Sequence, residues 1–246
     1  MDVTMTDDVV NLWRQDLGGE IPAEVWERTG LRVLILAEVG LTRLPAEIGR
    51  LRALSTLDLG HNRMAELPVE LGELKELDGF LYVHDNELTE LPHALGELTR
   101  LRYLNAGENR LTALPEAVGR MTGLIELRAQ HNRLTALPDT LGGLARLREL
   151  WLRGNPLTHL PASTADLREL RHLDLRENAF TDFPAVLAGL PLLRHVDLRA
   201  NGLTSLPDWL PDRLPSLEKL DLRWNPCEVP AGLVAALERR GCVVLL

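Results

Sequence analysis

Apolar and polar positions alternate along this chain in one recurring figure. A unit such as Leu54-x-x-Leu57-x-Leu59-x-x-Asn62 puts two core leucines one residue apart, and a later unit continues through Asn86-x-Leu88-Thr89-x-Leu91-Pro92 to Leu95-Gly96-x-Leu98. The asparagine recurs at Asn62, Asn86, Asn109, Asn132, Asn155, Asn178, Asn201 and Asn225, with intervals of 23 or 24 residues. Self-similarity at this period predicts a solenoid in which one unit cannot bury its own apolar face and stacked units can. The Leu-x-Leu core is a period-two strand signal, leucines inward and the residue between them outward. Nine units, beginning at Leu31, Leu54, Leu77 or Asp78, Leu101, Leu124, Leu147, Leu170, Leu193 and Leu217, then predict nine parallel strands spaced at about 4.8 Å.

The polar element of each unit is the asparagine, whose amide both donates and accepts and so can satisfy buried turn backbone. These eight residues are expected to form a structural ladder, which ends at Val39, the residue in the corresponding place of the first unit. Pro45, Pro68, Pro92, Pro115, Pro138, Pro161, Pro184 and Pro207 open each convex segment, where their fixed φ suits a first helical position and no N–H is missed.

Three segments are expected within one domain. Residues 1–30 form a cap: a helix over Asp7 to Gln15, with Val9, Trp13 and Leu17 on one side, followed by a convex half-repeat lacking its strand. Residues 31–226 carry the nine repeats. Residues 227–246 form a second cap, with a helix from Pro230 to Arg240 and a last strand over Val243 to Leu246. With both ends capped, the chain is expected to be whole.

The quoted residues resemble the leucine-rich repeat family in its roughly 23-residue intracellular type, seen in Ras suppressor-like proteins and many bacterial proteins. The resemblance covers about residues 31 to 226. It implies an α/β fold, a curved horseshoe with its parallel sheet on the concave face and short helices or 3₁₀ turns on the convex face, used for protein–protein interaction and carrying no catalytic residues. Departures are the extra residue near Leu77-Asp78-Gly79-Phe80, the 24-residue eighth unit around Pro211 to Pro215, and Val39; the two insertions are expected to alter strand alignment locally.

Counting back from each asparagine sorts outward residues from buried ones. Phe80, Tyr82, Tyr103 and Trp151 fall on the concave grid although the chain is only 4% aromatic, so they serve no core and suggest a recognition patch, together with Arg128. Towards the C-terminus an acidic row, Asp174, Asp197 and Asp221, runs beside a basic row, Arg153, Arg176, Arg199 and Arg223. Opposite charges at cross-strand spacing neutralise one another, and the same rows could receive a charged protein segment. His172-x-Asp174 and His195-x-Asp197 set two imidazoles and two carboxylates on one face. Neutral His–Asp pairing accounts for them and the arginines oppose a cation, so no metal is expected.

Charge and composition narrow the partner. Formal net charge is -9, with five of those charges in residues 1–30, which argues against nucleic acid. No apolar run approaches the roughly 18 residues of a membrane span, no signal-peptide pattern opens the chain, and two cysteines, Cys227 and Cys242, do not make a bridging framework. A cytoplasmic, monomeric protein without cofactor is expected, its thiols reduced and buried. With no phosphate loop, HExxH or nucleophile–base spacing, the function expected is that of a non-enzymatic interaction scaffold binding a protein on the concave face. The alternative is a receptor for a glycan or small ligand at the aromatic residues.

Overall fold

A computed structural model describes residues 4–246 of the chain. Its framework is one sheet of twelve short strands that follow one another in chain order. These are β1 (Thr4–Met5), β2 (Val9–Asn11), β3 (Val33–Ile35), β4 (Thr56–Asp58), β5 (Phe80–Tyr82), β6 (Tyr103–Asn105), β7 (Glu126–Arg128), β8 (Glu149–Trp151), β9 (His172–Asp174), β10 (His195–Asp197), β11 (Lys219–Asp221) and β12 (Val243–Leu245). β1 pairs antiparallel with β2, and every later pair is parallel. The central apolar residue of each strand faces its counterpart on the next: Leu57 opposite Leu81, Leu104 opposite Leu127, Leu150 opposite Leu173. All six are fully buried, and each such leucine contributes about 1.5–3 kcal/mol relative to exposure.

The asparagine ladder closes each coil. Asn62 Nδ2 donates to the carbonyls of Leu36 (2.8 Å) and Leu59 (2.9 Å), while its Oδ1 accepts from the N–H groups of Leu41 (3.0 Å) and Val39 (3.3 Å). One side chain thus ties its own turn to the turn of the preceding unit. Val39 ends the series without leaving its turn unsatisfied, because Asn62 serves that turn from the next coil. The residue before each asparagine has positive φ, as at His61 (55°), Glu108 (56°) and Trp224 (64°). That left-handed step turns the backbone carbonyls onto the amide.

On the convex side the chain forms 3₁₀ turns such as Ala46–Arg50 and Glu116–Arg120. The prolines stand one residue earlier than a first helical position: Pro45 and Pro115 are the caps, and their carbonyls accept the first turn bonds from Ile48 (3.2 Å) and Val118 (2.9 Å). Adjacent turns approach closely because Gly119 lacks a side chain; a Cβ there would lie 2.3 Å from the Thr140 carbonyl oxygen.

Both insertions leave the strand register intact. At Asp78-Gly79 the extra residue is absorbed before β5, where the Gly79 N–H bonds to Ser55 O at 3.0 Å, and Thr56 still pairs with Phe80. In the eighth unit the added length becomes an α-helix, α1 (Leu210–Arg213), in place of a 3₁₀ turn.

The N-terminal expectation needs correction. Asp7 to Gln15 is not a helix: it contains β2, which pairs with β3 as Val10 opposite Leu34. Val10 and Leu12 are buried, whereas Trp13 is exposed. The segment is a further coil with its own strand, not a half-repeat, and Arg14 occupies the left-handed turn position (φ 57°). Unpaired β3 backbone is the physical reason, since Leu12 N–H bonds to Ile35 O (2.9 Å) and Arg14 N–H to Ala37 O (3.1 Å). At the other end α2 (Ala231–Glu238) and β12 stand where the sequence places a helix and a strand.

Candidate functional site

The outward residues of β5 to β9 form one continuous stripe. Phe80, Tyr82 and Tyr103 touch pairwise, with ring centroids 5.9, 5.5 and 5.1 Å apart. Phe80 is 45% exposed, so the inserted residue does not turn it inward. The Arg128 guanidinium lies between Tyr103 (5.8 Å) and Trp151 (4.9 Å), and Glu126 Oε1 accepts from its Nε at 2.5 Å. Trp151 donates Nε1–H to Glu149 (3.2 Å) and stacks on His172, centroids 4.3 Å apart; His172 meets His195 edge-on at 5.6 Å. Burial pushes the Tyr103 phenol up to about 12, against the opposing Arg128 charge, so it remains a neutral donor. Each ring is wedged by its neighbours, which fixes the stripe before any partner arrives.

Two imidazoles extend the stripe beyond the residues the sequence singles out. Tyr82 meets His84 at 6.0 Å, and His84 meets His61 at 4.6 Å, with their Nε2 atoms 3.2 Å apart. His84 lies on the outward grid by the same count that places Tyr82. His61 occupies the left-handed turn residue, a column that the strand count does not treat as concave.

The acidic and basic rows are largely joined within the chain. Asp174 takes Nε and Nη2 of Arg176 at 3.1 and 2.8 Å, Asp197 takes those of Arg199 at 3.0 and 2.7 Å, and Asp221 those of Arg223 at 2.9 and 2.7 Å. Cross-strand contacts link the pairs, Arg176 to Asp197 (3.5 Å) and Arg199 to Asp221 (3.4 Å). Asp174 and Asp221 are each only 1% exposed. Burial opposes ionisation of Asp221, but the Arg223 bond and the Arg199 charge outweigh it and hold the carboxyl below its usual range. Arg153 stands apart, bonded to Glu177 at 2.7 Å. Trp224, 71% exposed, flanks the row, with the Arg199 and Arg223 guanidiniums 5.9 and 5.7 Å from its ring.

The expected pairing of His172 and His195 with Asp174 and Asp197 does not form. The aspartates take the arginines, and His172 takes Trp151. Burial, opposed by Glu149, holds the His172 imidazole below its ordinary value. Among the described residues no three His, Cys, Asp or Glu side chains converge as metal ligands would. Cys227 and Cys242 are free thiols, Cys242 buried and Cys227 half-buried, and burial raises Cys242 to about 11. Among the described residues no helix is long and apolar enough to cross a membrane.

Comparison with known proteins agrees with this architecture. The family model for Leucine rich repeat matches residues 145–203. Among solved structures, a leucine-rich repeat protein of Leptospira interrogans aligns over 96% of this chain and 95% of its own, with 22% identity and a TM-score of 0.56. The functional domain of InlJ from Listeria monocytogenes aligns over 96% of this chain and 47% of its own, with 24% identity and a TM-score of 0.78. The ectodomain of the plant membrane receptor kinase GASSHO1/SCHENGEN3 from Arabidopsis thaliana, in complex with Casparian strip integrity factor 2, aligns over 90% of this chain and 28% of its own, with 31% identity and a TM-score of 0.77. This chain therefore spans less than half the length of the latter two. No curated protein matches it. A repeating strand, asparagine turn and 3₁₀ segment, the family match over residues 145–203 and these structural likenesses agree: the chain has the leucine-rich repeat fold.

Proposed function

We propose that this chain is a non-enzymatic interaction scaffold that holds a protein partner on its concave face, along Tyr82, Tyr103, Arg128 and Trp151. The observation that carries the reading is the stripe itself, where aromatic and guanidinium groups are locked in place on the open side of the sheet, away from the core. Large, rigid side chains of these types dominate interface energetics because they lose little conformational freedom on binding. Arg153, Asp174, Arg176, Asp197, Arg199, Asp221 and Arg223 form its C-terminal flank. Because their charges are mostly matched in-chain, they set shape and orientation more than net attraction. The matched arginines and the -9 net charge support a protein over a nucleic acid. A monomeric protein in a reducing, cytoplasmic setting is part of this reading, supported by the two free thiols.

A glycan or small-ligand receptor is less well supported. Sugar stacking needs an open ring face, whereas Trp151 has Arg128 on its ring and His172 stacked against it.

The test is capture of partners from the native organism by the wild-type chain and by a variant with Tyr82, Tyr103 and Trp151 all changed to serine. These side chains lie outside the leucine core and the asparagine ladder, so the variant should keep its circular dichroism spectrum and melting temperature. Partners present with the wild type should be lost. A variant that is folded and retains every partner would refute the concave site.

A further inference from the structure

The chain builds one Asp-x-Arg rung three times on the concave face and once without the arginine. In the complete rungs the residue two positions on donates its backbone N–H to the aspartate Oδ1, from Arg176 to Asp174 (3.0 Å), Arg199 to Asp197 (3.2 Å) and Arg223 to Asp221 (3.4 Å), and its guanidinium then clasps the carboxylate. Asp58 stands at the same strand position, through the register that runs from β4 to β9. Its Oδ1 accepts the same bond, from Gly60 at 2.9 Å. Glycine, however, supplies no guanidinium, and that bond is the only one the Asp58 carboxylate makes among the described residues.

The space beside Asp58 is open. A hollow of about 370 Å³ lies there, walled by Trp13, Ile35, Tyr82 and His84. The other charges around it are matched or absent. Glu38 accepts from Arg14 (2.7 Å) and Trp13 (3.1 Å), and His61 is bonded to Asp85 (2.7 Å). Burial and the neighbouring His61 hold His84 below the ordinary imidazole value, so it is neutral at physiological pH. Burial and the Asp58 charge both raise the Tyr82 phenol, so it stays neutral. Position 60 carries no side chain to complete this rung, and a Cβ there would force the His84 ring, 2.4 Å away, to shift.

We propose that this hollow receives an arginine side chain of the protein partner, whose guanidinium clasps Asp58 as Arg176 clasps Asp174 and lies against the aromatic walls. The fork matches a carboxylate held in this orientation, and a planar cation stacks on indole and phenol faces, both of which favour arginine over lysine. The inference rests on the concave-face reading for the nature of the partner, but its test needs no partner.

Acetyl-Gly-Arg-Gly-amide is titrated into the ¹⁵N-labelled full chain, with the isosteric, uncharged citrulline peptide as control. The Gly60 amide, bonded directly to Asp58, should shift saturably with the arginine peptide and not with the citrulline peptide. Asp58→Asn should weaken binding by about tenfold, the scale of one charge-assisted bond. That variant keeps the fold, because Asn105 already makes the same turn bond, accepting from Gly107 N–H at 3.1 Å. No saturable shift at Gly60, an equal response to citrulline, or equal affinity in Asp58→Asn overturns the proposal. Should the peptide fail while the triple serine variant still loses its partners, only the arginine hollow falls; if it binds while that variant keeps them, only the stripe falls.

Discussion

Trp151 and His172 lie ring over ring on adjacent strands, their centroids 4.3 Å apart and their planes inclined by 25°. The contact covers an imidazole that must then stay neutral, and burial lowers its pKa against the weaker pull of Glu149. A histidine whose value falls on folding contributes stability above its ordinary value of about 6.5 and loses it as pH drops towards the lowered one. His84 shifts in the same direction through burial and His61. The melting temperature should therefore fall between pH 7.5 and pH 5, and His172→Gln should shrink that fall. An equal fall in the variant would place its origin elsewhere.

Asn132 joins two coils: its Nδ2 donates to Ala106 O (3.0 Å) and Ala129 O (3.2 Å), and its Oδ1 accepts from Leu111 N–H (2.9 Å). It is buried, whereas Asn225 near the last coil is half-buried. Each group left unpaired in the interior costs about 1–3 kcal/mol. Asn132→Ala should lose at least about 2 kcal/mol in urea unfolding, and Asn225→Ala less, because water can reach the groups it leaves. Equal losses would show that burial does not set the cost.

Arg199 clasps Asp197 and also reaches Asp221. Removing it leaves partly buried Asp197 with only the longer Arg176 contact (3.5 Å) and takes one of two arginines from almost fully buried Asp221, which keeps Arg223. Arg199→Ala should destabilise the chain by about 2 kcal/mol, reduced from the figure for a fully buried pair because Arg199 keeps some solvent contact. Arg199→Lys should recover part of this, since it restores the charge but not the fork. A melting temperature unchanged in the alanine variant would show that the rungs are electrostatically idle.

The two thiols should react at different rates. Burial raises both, but Cys242 is the more enclosed and lies at about 11, and the thiolate is the reactive form. Iodoacetamide at pH 8 should label Cys227 in the native protein and reach Cys242 only on unfolding, as read by peptide mass spectrometry. Equal labelling of both under native conditions would contradict the packing of the C-terminal cap.

The strand register was legible along the chain because side-chain direction alternates with period two and each asparagine marks a fixed distance from its leucines. The N-terminal coil was not. Val10-x-Leu12 is one short apolar pair without a following asparagine, and alone it cannot be told from part of an amphipathic helix. Open backbone groups on β3 decide between them. Tyr82, Tyr103 and Trp151 were legible as outward residues, but their mutual contacts were not, since periodicity carries direction and not distance.

Sequence by itself determined the solenoid, the leucine core, the asparagine turns and the list of residues on the concave grid, since all of these follow from local repeats of fixed length. Only the tertiary structure decided what each grid residue meets. Arg176, Arg199 and Arg223 close on the aspartates two residues earlier, Arg128 settles between two rings, His172 stacks on Trp151 instead of pairing with Asp174, and Asp58 keeps an open carboxylate beside Gly60. The physical reason is that such contacts depend on which of several neighbouring groups a long side chain reaches, and the 23-residue period brings those neighbours together only when the coils stack.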